Sequence, residues 1–181
     1  WQLYLGIPKG EPGVTIAVYP GTFDPMTIGH LDIAIRAARL FDKVIIAVYD
    51  TPGKKLLFTT QERTELVRQS VADLPNVEAQ SYTGLTVDFA RKVGAQTLVR
   101  GLRIGADFEG EFEMALMNKN LAPDCELVCL MASLKYQFLS SSLLKEVARL
   151  GGNIDDLVPA PVVAALKERL FPGHKTAKIK L

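Results

Sequence analysis

Short apolar runs alternate with amphipathic segments along almost the whole chain, and this alternation constrains the fold more than any other feature. The clearest run, Lys43–Tyr49, is continuous and rich in β-branched residues, which is typical of a strand buried on both faces of a parallel sheet. Strands are predicted at Thr15–Tyr19, Lys43–Tyr49, Val77–Ala79, Gln96–Val99 and Glu126–Met131. Five helices are predicted at Leu31–Phe41, near Val87–Val93, and at Asp107–Leu121, Ser140–Leu150 and Pro161–Leu170. A further helix is predicted to begin at a capping box formed by Thr59 and Glu62 and to end at Leu74. The order predicts an α/β fold, a doubly wound five-stranded parallel sheet with C-terminal helices.

Composition predicts a single domain. The chain has 181 residues, of which 48% are hydrophobic, enough for one substantial core. We place the domain at 15–171, between a loosely ordered N-terminal extension, 1–14, and a basic C-terminal tail, 172–181, for which a solvated end is favoured over a binding role. The formal net charge of +1 argues against a nucleic-acid partner but leaves room for a small anionic ligand.

The two cysteines, Cys125 and Cys129, are predicted to lie on one face of a strand as small buried hydrophobic residues. A metal or disulfide site is disfavoured because no partner set of Cys or His accompanies them, and no metal ligand is predicted from the protein. Cysteine usage points to a reducing compartment, and we see neither a run of roughly 18 apolar residues nor a signal-peptide pattern. These features predict a cytoplasmic protein without a membrane partner.

The segment 19–30 joins the first predicted strand to the first predicted helix. Gly21 and Gly29 allow the backbone to approach a bound group closely. His30 falls in the first helical turn, where unpaired N–H groups and the helix dipole attract phosphate. For His30 taken alone, a role in capping the helix is as well supported as a role in function.

Groups able to hold an anion follow four of the predicted strands, and a parallel sheet brings strand ends together. They are Thr22, His30, Lys54, Arg100, Arg103 and the run Ser140, Ser141 and Ser142. Taken singly, Lys54 and Lys55 could form a solvated loop and the serines a helix N-cap, while Gly101 is predicted to permit a tight turn between the two arginines. A set of cationic side chains with only one candidate base, His30, indicates phosphoryl or nucleotidyl transfer. The sequence contains neither a Gly-x-Ser-x-Gly nor an HExxH motif, which argues against hydrolases and metalloenzymes.

Two motifs carry a resemblance to a known family. Thr27-Ile28-Gly29-His30 resembles the Thr/His-x-Gly-His signature of the nucleotidyltransferase superfamily, and the segment Leu139–Lys145 resembles its second, serine-rich signature. With the segments Tyr19–Pro25, Lys54–Lys55, Val99–Arg103, Ala106–Glu109 and Lys145–Ala148, the chain resembles the bacterial phosphopantetheine adenylyltransferases over about 15–170.

The resemblance implies transfer of AMP from ATP to 4′-phosphopantetheine, which gives dephospho-coenzyme A and pyrophosphate, with magnesium held by the nucleotide. It implies a transition-state role for His30, assisted by Lys54 and Arg103. The residues implied for the acceptor are Thr22, Lys54, Thr86 and Arg100. The residues implied for ATP are Thr22, Phe23, His30, Gly101, Leu102, Arg103, Glu111, Tyr136, Gln137, Phe138, Leu139, Ser140, Ser141 and Ser142.

The resemblance also implies a homohexamer inhibited by coenzyme A. The sequence departs from the family pattern at Ile28, Thr86 and Gly110, which replace a frequent Asn, Met and Tyr. Two alternatives remain open: a related enzyme with another acceptor, such as nicotinamide mononucleotide, and a non-catalytic nucleotide sensor.

Overall fold

The computed structural model describes residues 13–50, 55–103 and 105–171. Within them five strands form one sheet in the order β3-β2-β1-β4-β5, and every neighbouring pair is parallel. The strands are β1 Ile16–Gly21, β2 Lys43–Tyr49, β3 Val77–Tyr82, β4 Thr97–Leu102 and β5 Glu126–Met131. The predicted fold class is confirmed.

Helices connect the strands and cover both faces of the sheet. They are α1 Ile28–Ala38, α2 Thr60–Ser70, α3 Thr86–Lys92, α4 Gly105–Leu121, α5 Ser141–Arg149 and α6 Ala160–Leu170. A short 3₁₀ turn at Leu134–Tyr136, which the sequence analysis did not predict, precedes α5. Because the chain runs outward from β1 to β3 and then returns to β4 on the other side of β1, the strand order reverses between β1 and β4. Open α/β sheets bind ligands at such a switch point.

Alternate residues of β2 pack into two separate hydrophobic cores. Val44, Ile46 and Val48 face the core formed with α1, α2, α5 and α6, whereas Ile45 and Ala47 face the core formed with α3. All five are at most 1% exposed. Burial on both faces explains why this strand is uniformly apolar rather than alternating.

The helix starts follow the capping residues in the sequence. Thr59 accepts a hydrogen bond from the Glu62 backbone and Glu62 bonds back to Thr59, so the predicted capping box is confirmed.

Among the described residues, no helix is both long enough and apolar enough to cross a bilayer. The predicted extension and tail fall almost wholly on 1–12 and 172–181, outside the described residues.

Two local predictions were wrong. Strand β4 continues through Arg100 and Gly101 to Leu102, so Gly101 makes no tight turn. It permits close packing instead, because a Cβ at this position would lie 3.0 Å from Cγ1 of Ile33 on α1. Of the two cysteines only Cys125 is buried, since Cys129 lies on the edge strand β5 and is exposed.

We expect Gly101→Ala to lower the free energy of unfolding by about 1–3 kcal/mol, because the new methyl group overpacks the contact with Ile33. Gly110→Ala is the control, since it lies in α4 with no neighbour within 4 Å of an added Cβ. That substitution should stabilise the protein by roughly 0.5–1 kcal/mol through helix propensity. Urea unfolding measures both, and equal effects of the two variants would contradict the packing argument.

Candidate active site

A cavity of about 440 Å³ opens at the carboxyl ends of β1 and β4, beside the first turns of α1 and α5. Most of the predicted site residues line it: Thr22, Phe23, His30, Arg100, Gly101, Arg103, Glu111, Tyr136, Leu139, Ser140, Ser141 and Ser142. The two sequence motifs, at least 109 positions apart along the chain, therefore meet in one place. Asp24, Lys55 and Lys145 also line the cavity.

Four predicted residues do not line this cavity. Leu102 is buried, Phe138 is 61% exposed, and the Gln137 amide donates to the Ala132 carbonyl at 3.4 Å. Thr86 lies at the start of α3, where its hydroxyl is 2.9 Å from the Tyr82 hydroxyl. The predicted acceptor ligand Lys54 lies outside the described residues.

His30 caps its own helix and still keeps one ring nitrogen for a ligand. The Thr27 hydroxyl accepts from the His30 backbone N–H at 3.3 Å, and Nδ1 of His30 accepts from the Thr27 backbone N–H at 3.0 Å. A nitrogen that accepts a backbone hydrogen bond carries no proton, so in the neutral ring the proton resides on Nε2. The capping interpretation is confirmed, and it leaves Nε2–H available as a donor.

The surroundings of His30 favour its neutral form. Burial lowers its pKa from 6.5 to about 4, and the nearby positive charges of Arg103 and Arg100 act in the same direction. The imidazole therefore remains uncharged throughout the neutral range of pH.

Arg100 is held in a fork with Glu111. Its Nε donates to Oε2 of Glu111 at 2.7 Å and its Nη2 donates to Oε1, while Nη1 donates to the Pro20 carbonyl at 2.7 Å. Burial lowers the pKa of Arg100, but the hydrogen bonds and negative charge of Glu111 outweigh this effect and raise it overall. Sequence analysis placed both residues at the site but had no signal for the pair, which joins β4 to α4 across 11 positions.

A buried ion pair connects the segment just before the first motif to the end of the second motif. The Asp24 carboxylate is 3% exposed and accepts from Nζ of Lys145 at 2.6 Å. It also accepts from the backbone N–H groups of Leu57 and Phe58 at 2.9 Å. Sequence analysis gave neither Asp24 nor Lys145 a role, although both belong to the segments that carried the resemblance.

Two serines at the start of α5, Ser140 and Ser141, make different hydrogen bonds. The Ser140 hydroxyl accepts from the Leu143 N–H at 3.1 Å, which confirms the N-cap, and the Ser141 hydroxyl donates to the Pro25 carbonyl at 2.8 Å. Arg103 donates to the Leu139 carbonyl at 3.1 Å. The helix start is therefore tied to the segments that follow β1 and β4, and the unpaired N–H groups of a first helical turn suit it to binding an anion.

Comparisons with known proteins agree on the type of protein. The family model described as cytidylyltransferase-like matches residues 18–147. A phosphopantetheine adenylyltransferase of Roseiflexus sp. (strain RS-1) is 57% identical over 85% of this chain and 96% of its own length. One from Dehalococcoides mccartyi (strain ATCC BAA-2100 / JCM 16839 / KCTC 5957 / BAV1) is 53% identical over 86% of this chain and 98% of its own.

A solved structure shares the fold at low sequence identity. A Vibrio parahaemolyticus protein assigned as a nicotinate-nucleotide adenylyltransferase superposes with a TM-score of 0.67 at 19% identity, over 90% of this chain and 98% of that one. This likeness supports the architecture alone.

We expect Lys145→Met to lower the free energy of unfolding by about 3–5 kcal/mol, because it leaves the Asp24 charge buried without its cation. Lys167→Met is the matched control, since Lys167 pairs with Asp155 at 2.9 Å but both side chains are about half exposed. We expect this control to cost at most about 1 kcal/mol. Chemical unfolding of both variants checks the difference, and similar losses would show that the buried pair is not structurally important.

His30 should make stability depend on pH in a defined window. Between pH 6.5 and about 4 the unfolded chain binds a proton at His30 that the folded chain does not. The contribution of His30 to the free energy of unfolding is therefore fully present above pH 6.5. It is lost as the pH is lowered, by up to about 1.4 kcal/mol per pH unit. Urea unfolding at several pH values should give a shallower dependence for His30→Gln, and identical profiles would contradict a lowered pKa.

Proposed function

Because the chain belongs to the cytidylyltransferase-like family and, within it, to the phosphopantetheine adenylyltransferases, we propose that it transfers AMP from ATP to 4′-phosphopantetheine. The products are dephospho-coenzyme A and pyrophosphate, and the reaction is the penultimate step of coenzyme A synthesis. The observation that carries the proposal is the meeting of both motifs with Arg100 and Arg103 around one cavity.

The chemistry suits a site that positions and neutralises charge. An oxygen of the acceptor phosphate attacks the α-phosphorus of ATP, a new P–O bond forms, and the bond to the leaving pyrophosphate breaks. A phosphate monoester is largely ionised near pH 7, because its second pKa is about 6, so no general base is required. The neutral His30 is suited to this task because its Nε2–H can donate to an α-phosphate oxygen as negative charge builds up in the transition state.

Magnesium enters the proposal with the nucleotide, where it would neutralise the triphosphate. One observation supports this arrangement. Two of the described residues that line the cavity are carboxylates, Asp24 and Glu111, and each already accepts from a cation.

The acceptor phosphate is assigned to Arg100, Lys54 and Thr22, and the nucleotide to the α1 and α5 helix starts with Arg103. In this assignment the Arg100 guanidinium, preoriented by Glu111 and the Pro20 carbonyl, faces the anionic acceptor at the end of β4. A preoriented fork loses little conformational entropy when an oxyanion binds. The contact of Thr86 with the pantetheine arm stays a prediction.

Assembly and regulation extend the proposal. Helix α4, which leads into the edge strand β5, carries Phe108, Phe112, Met114 and Met117, each more than half exposed. Such apolar area supports burial between copies of the chain, and we assign a cytoplasmic homohexamer inhibited by coenzyme A. Sedimentation velocity tests the hexamer, and a titration of coenzyme A into the assay tests inhibition.

Pyrophosphate release with ATP and one acceptor at a time tests the function. We expect release with 4′-phosphopantetheine, none with nicotinamide mononucleotide and none without an acceptor. Pyrophosphate release only with nicotinamide mononucleotide would show that this compound, and not 4′-phosphopantetheine, is the acceptor. ATP binding without pyrophosphate release under any condition would support a nucleotide sensor.

Two variants should separate rate from acceptor binding. We expect His30→Ala to lower kcat by roughly 10²–10³-fold with ATP affinity little changed, as when one transition-state donor is lost. Arg100→Ala should instead raise the KM for 4′-phosphopantetheine by roughly 10–150-fold, far more than that for ATP. Arg91→Ala is the control, since Arg91 pairs with Asp124 on the surface away from the cavity. A rise confined to the ATP KM in Arg100→Ala would reverse that assignment.

A further inference from the structure

Arg63 on α2 is a buried cation to which the proposed reaction gives no role. Its residue exposure is 0%. Nε donates to the Phe58 carbonyl at 3.3 Å, Nη1 donates to the carbonyls of Thr22 at 2.6 Å and Tyr49 at 2.9 Å, and Nη2 donates to the Thr60 hydroxyl at 2.7 Å. One guanidinium thus satisfies three backbone carbonyls and a hydroxyl.

The three carbonyls come from three segments that meet beside the cavity. Thr22 follows β1 and lines the cavity, Tyr49 ends β2, and Phe58 belongs to the segment that leads from Lys55 to α2. Burying a cation costs free energy that an apolar side chain would not. A planar fork can hold several carbonyls in fixed relative positions, which an apolar side chain cannot do.

The bond to Thr22 acts at a strained point of the backbone. Phe23 has φ of 48°, a left-handed conformation that is unusual for a bulky residue. The Thr22 carbonyl belongs to the peptide plane from which this torsion is measured, so holding that carbonyl restrains φ of Phe23. Strained torsions persist only where the surrounding structure determines them.

The Phe23 ring in turn determines the environment of His30. It packs edge-on against His30, with ring centroids 5.2 Å apart, and against Tyr19 at 5.4 Å. Movement of the ring would expose the imidazole and change its orientation toward a ligand.

We propose that Arg63 is a positioning residue for the adenylyl transfer: through the Thr22 carbonyl it holds the turn at Thr22 and Phe23, and so holds Phe23 against His30. This inference rests on the proposed function for its kinetic consequence but not for its structural one.

The test combines Arg63→Lys with two readouts. Lysine keeps the charge, but a single nitrogen cannot serve four acceptors spread around a planar fork. We expect kcat to fall by roughly 10–100-fold, the scale of a misplaced catalytic group, with both KM values within about threefold of wild type. In a His174→Gln background, which leaves one histidine, proton NMR should show the pKa of His30 rising from about 4 toward 6.5 as water reaches the ring.

Val67→Ala is the matched control, because Val67 is equally buried on α2 but packs only into the hydrophobic core. It should lose stability while kcat and the His30 titration stay as in wild type, at a temperature where circular dichroism shows every variant folded. Equal losses of kcat in both variants, or an unchanged kcat and titration in Arg63→Lys, would overturn the proposal.

A milder pair of variants covers the case in which Arg63→Lys does not fold. Thr60→Val removes the hydroxyl that accepts from Nη2 and donates to Asp50 at 2.5 Å, whereas Thr60→Ser keeps it. Thr60→Val should shift the His30 titration and lower kcat by roughly 3–10-fold, with Thr60→Ser close to wild type. A folded Thr60→Val protein with both readouts unchanged would also overturn the proposal. If wild type shows no turnover, the proposed function fails, while the titration still decides the role of Arg63.

Discussion

The buried Asp24 carboxylate is the interaction on which the architecture of the site depends. It lies between β1 and α1, accepts two backbone N–H groups of the segment before α2, and pairs with Lys145 on α5. A buried carboxylate must be compensated by hydrogen bonds or a cation, and here the partners come from two other parts of the chain. Placing this one charge therefore brings three segments to the same side of the sheet.

The cavity beside Asp24 combines cations with groups that orient them. Glu111 and the Pro20 carbonyl orient Arg100, the Leu139 carbonyl accepts from Arg103, and Asp24 holds Lys145. Positive charge that is fixed before a polyphosphate arrives needs little reorganisation during reaction, and such preorganisation is the main source of electrostatic catalysis. The two carboxylates that line the cavity among the described residues, Glu111 and Asp24, hold two of these cations, Arg100 and Lys145, in place.

Sequence alone could predict most of the architecture, because strand runs such as Lys43–Tyr49 and caps such as Thr59 act locally. It could also predict which strand ends converge, since parallel topology follows from the alternation. It could not predict side-chain partners across the fold. The Arg100–Glu111 fork, the Asp24–Lys145 pair and the burial of Arg63 depend on distances between elements that no spacing in the chain encodes.

The errors have the same origin. Glycine is common in turns, so the sequence predicts a turn at Gly101, but the nearby side chain of Ile33, on a helix 68 positions earlier in the chain, is what excludes a larger residue there. The apolar run around Cys129 predicts a buried residue, yet Cys129 lies on β5, the edge strand of the sheet, and is exposed. Both outcomes are set by neighbours distant in sequence.

The hydrogen bonding and burial of His30 determine how the proposed reaction would respond to a change in the pH of the cell. Its Nδ1 is occupied by a backbone N–H, and its pKa lies well below neutrality. Between about pH 6 and 8 the ring neither gains nor loses a proton, whereas a phosphate monoester changes charge with a pKa of about 6. A mild acidification of the cell would then reach the proposed reaction through the ionisation of the acceptor rather than through the protein, so the substrate itself would act as the pH sensor.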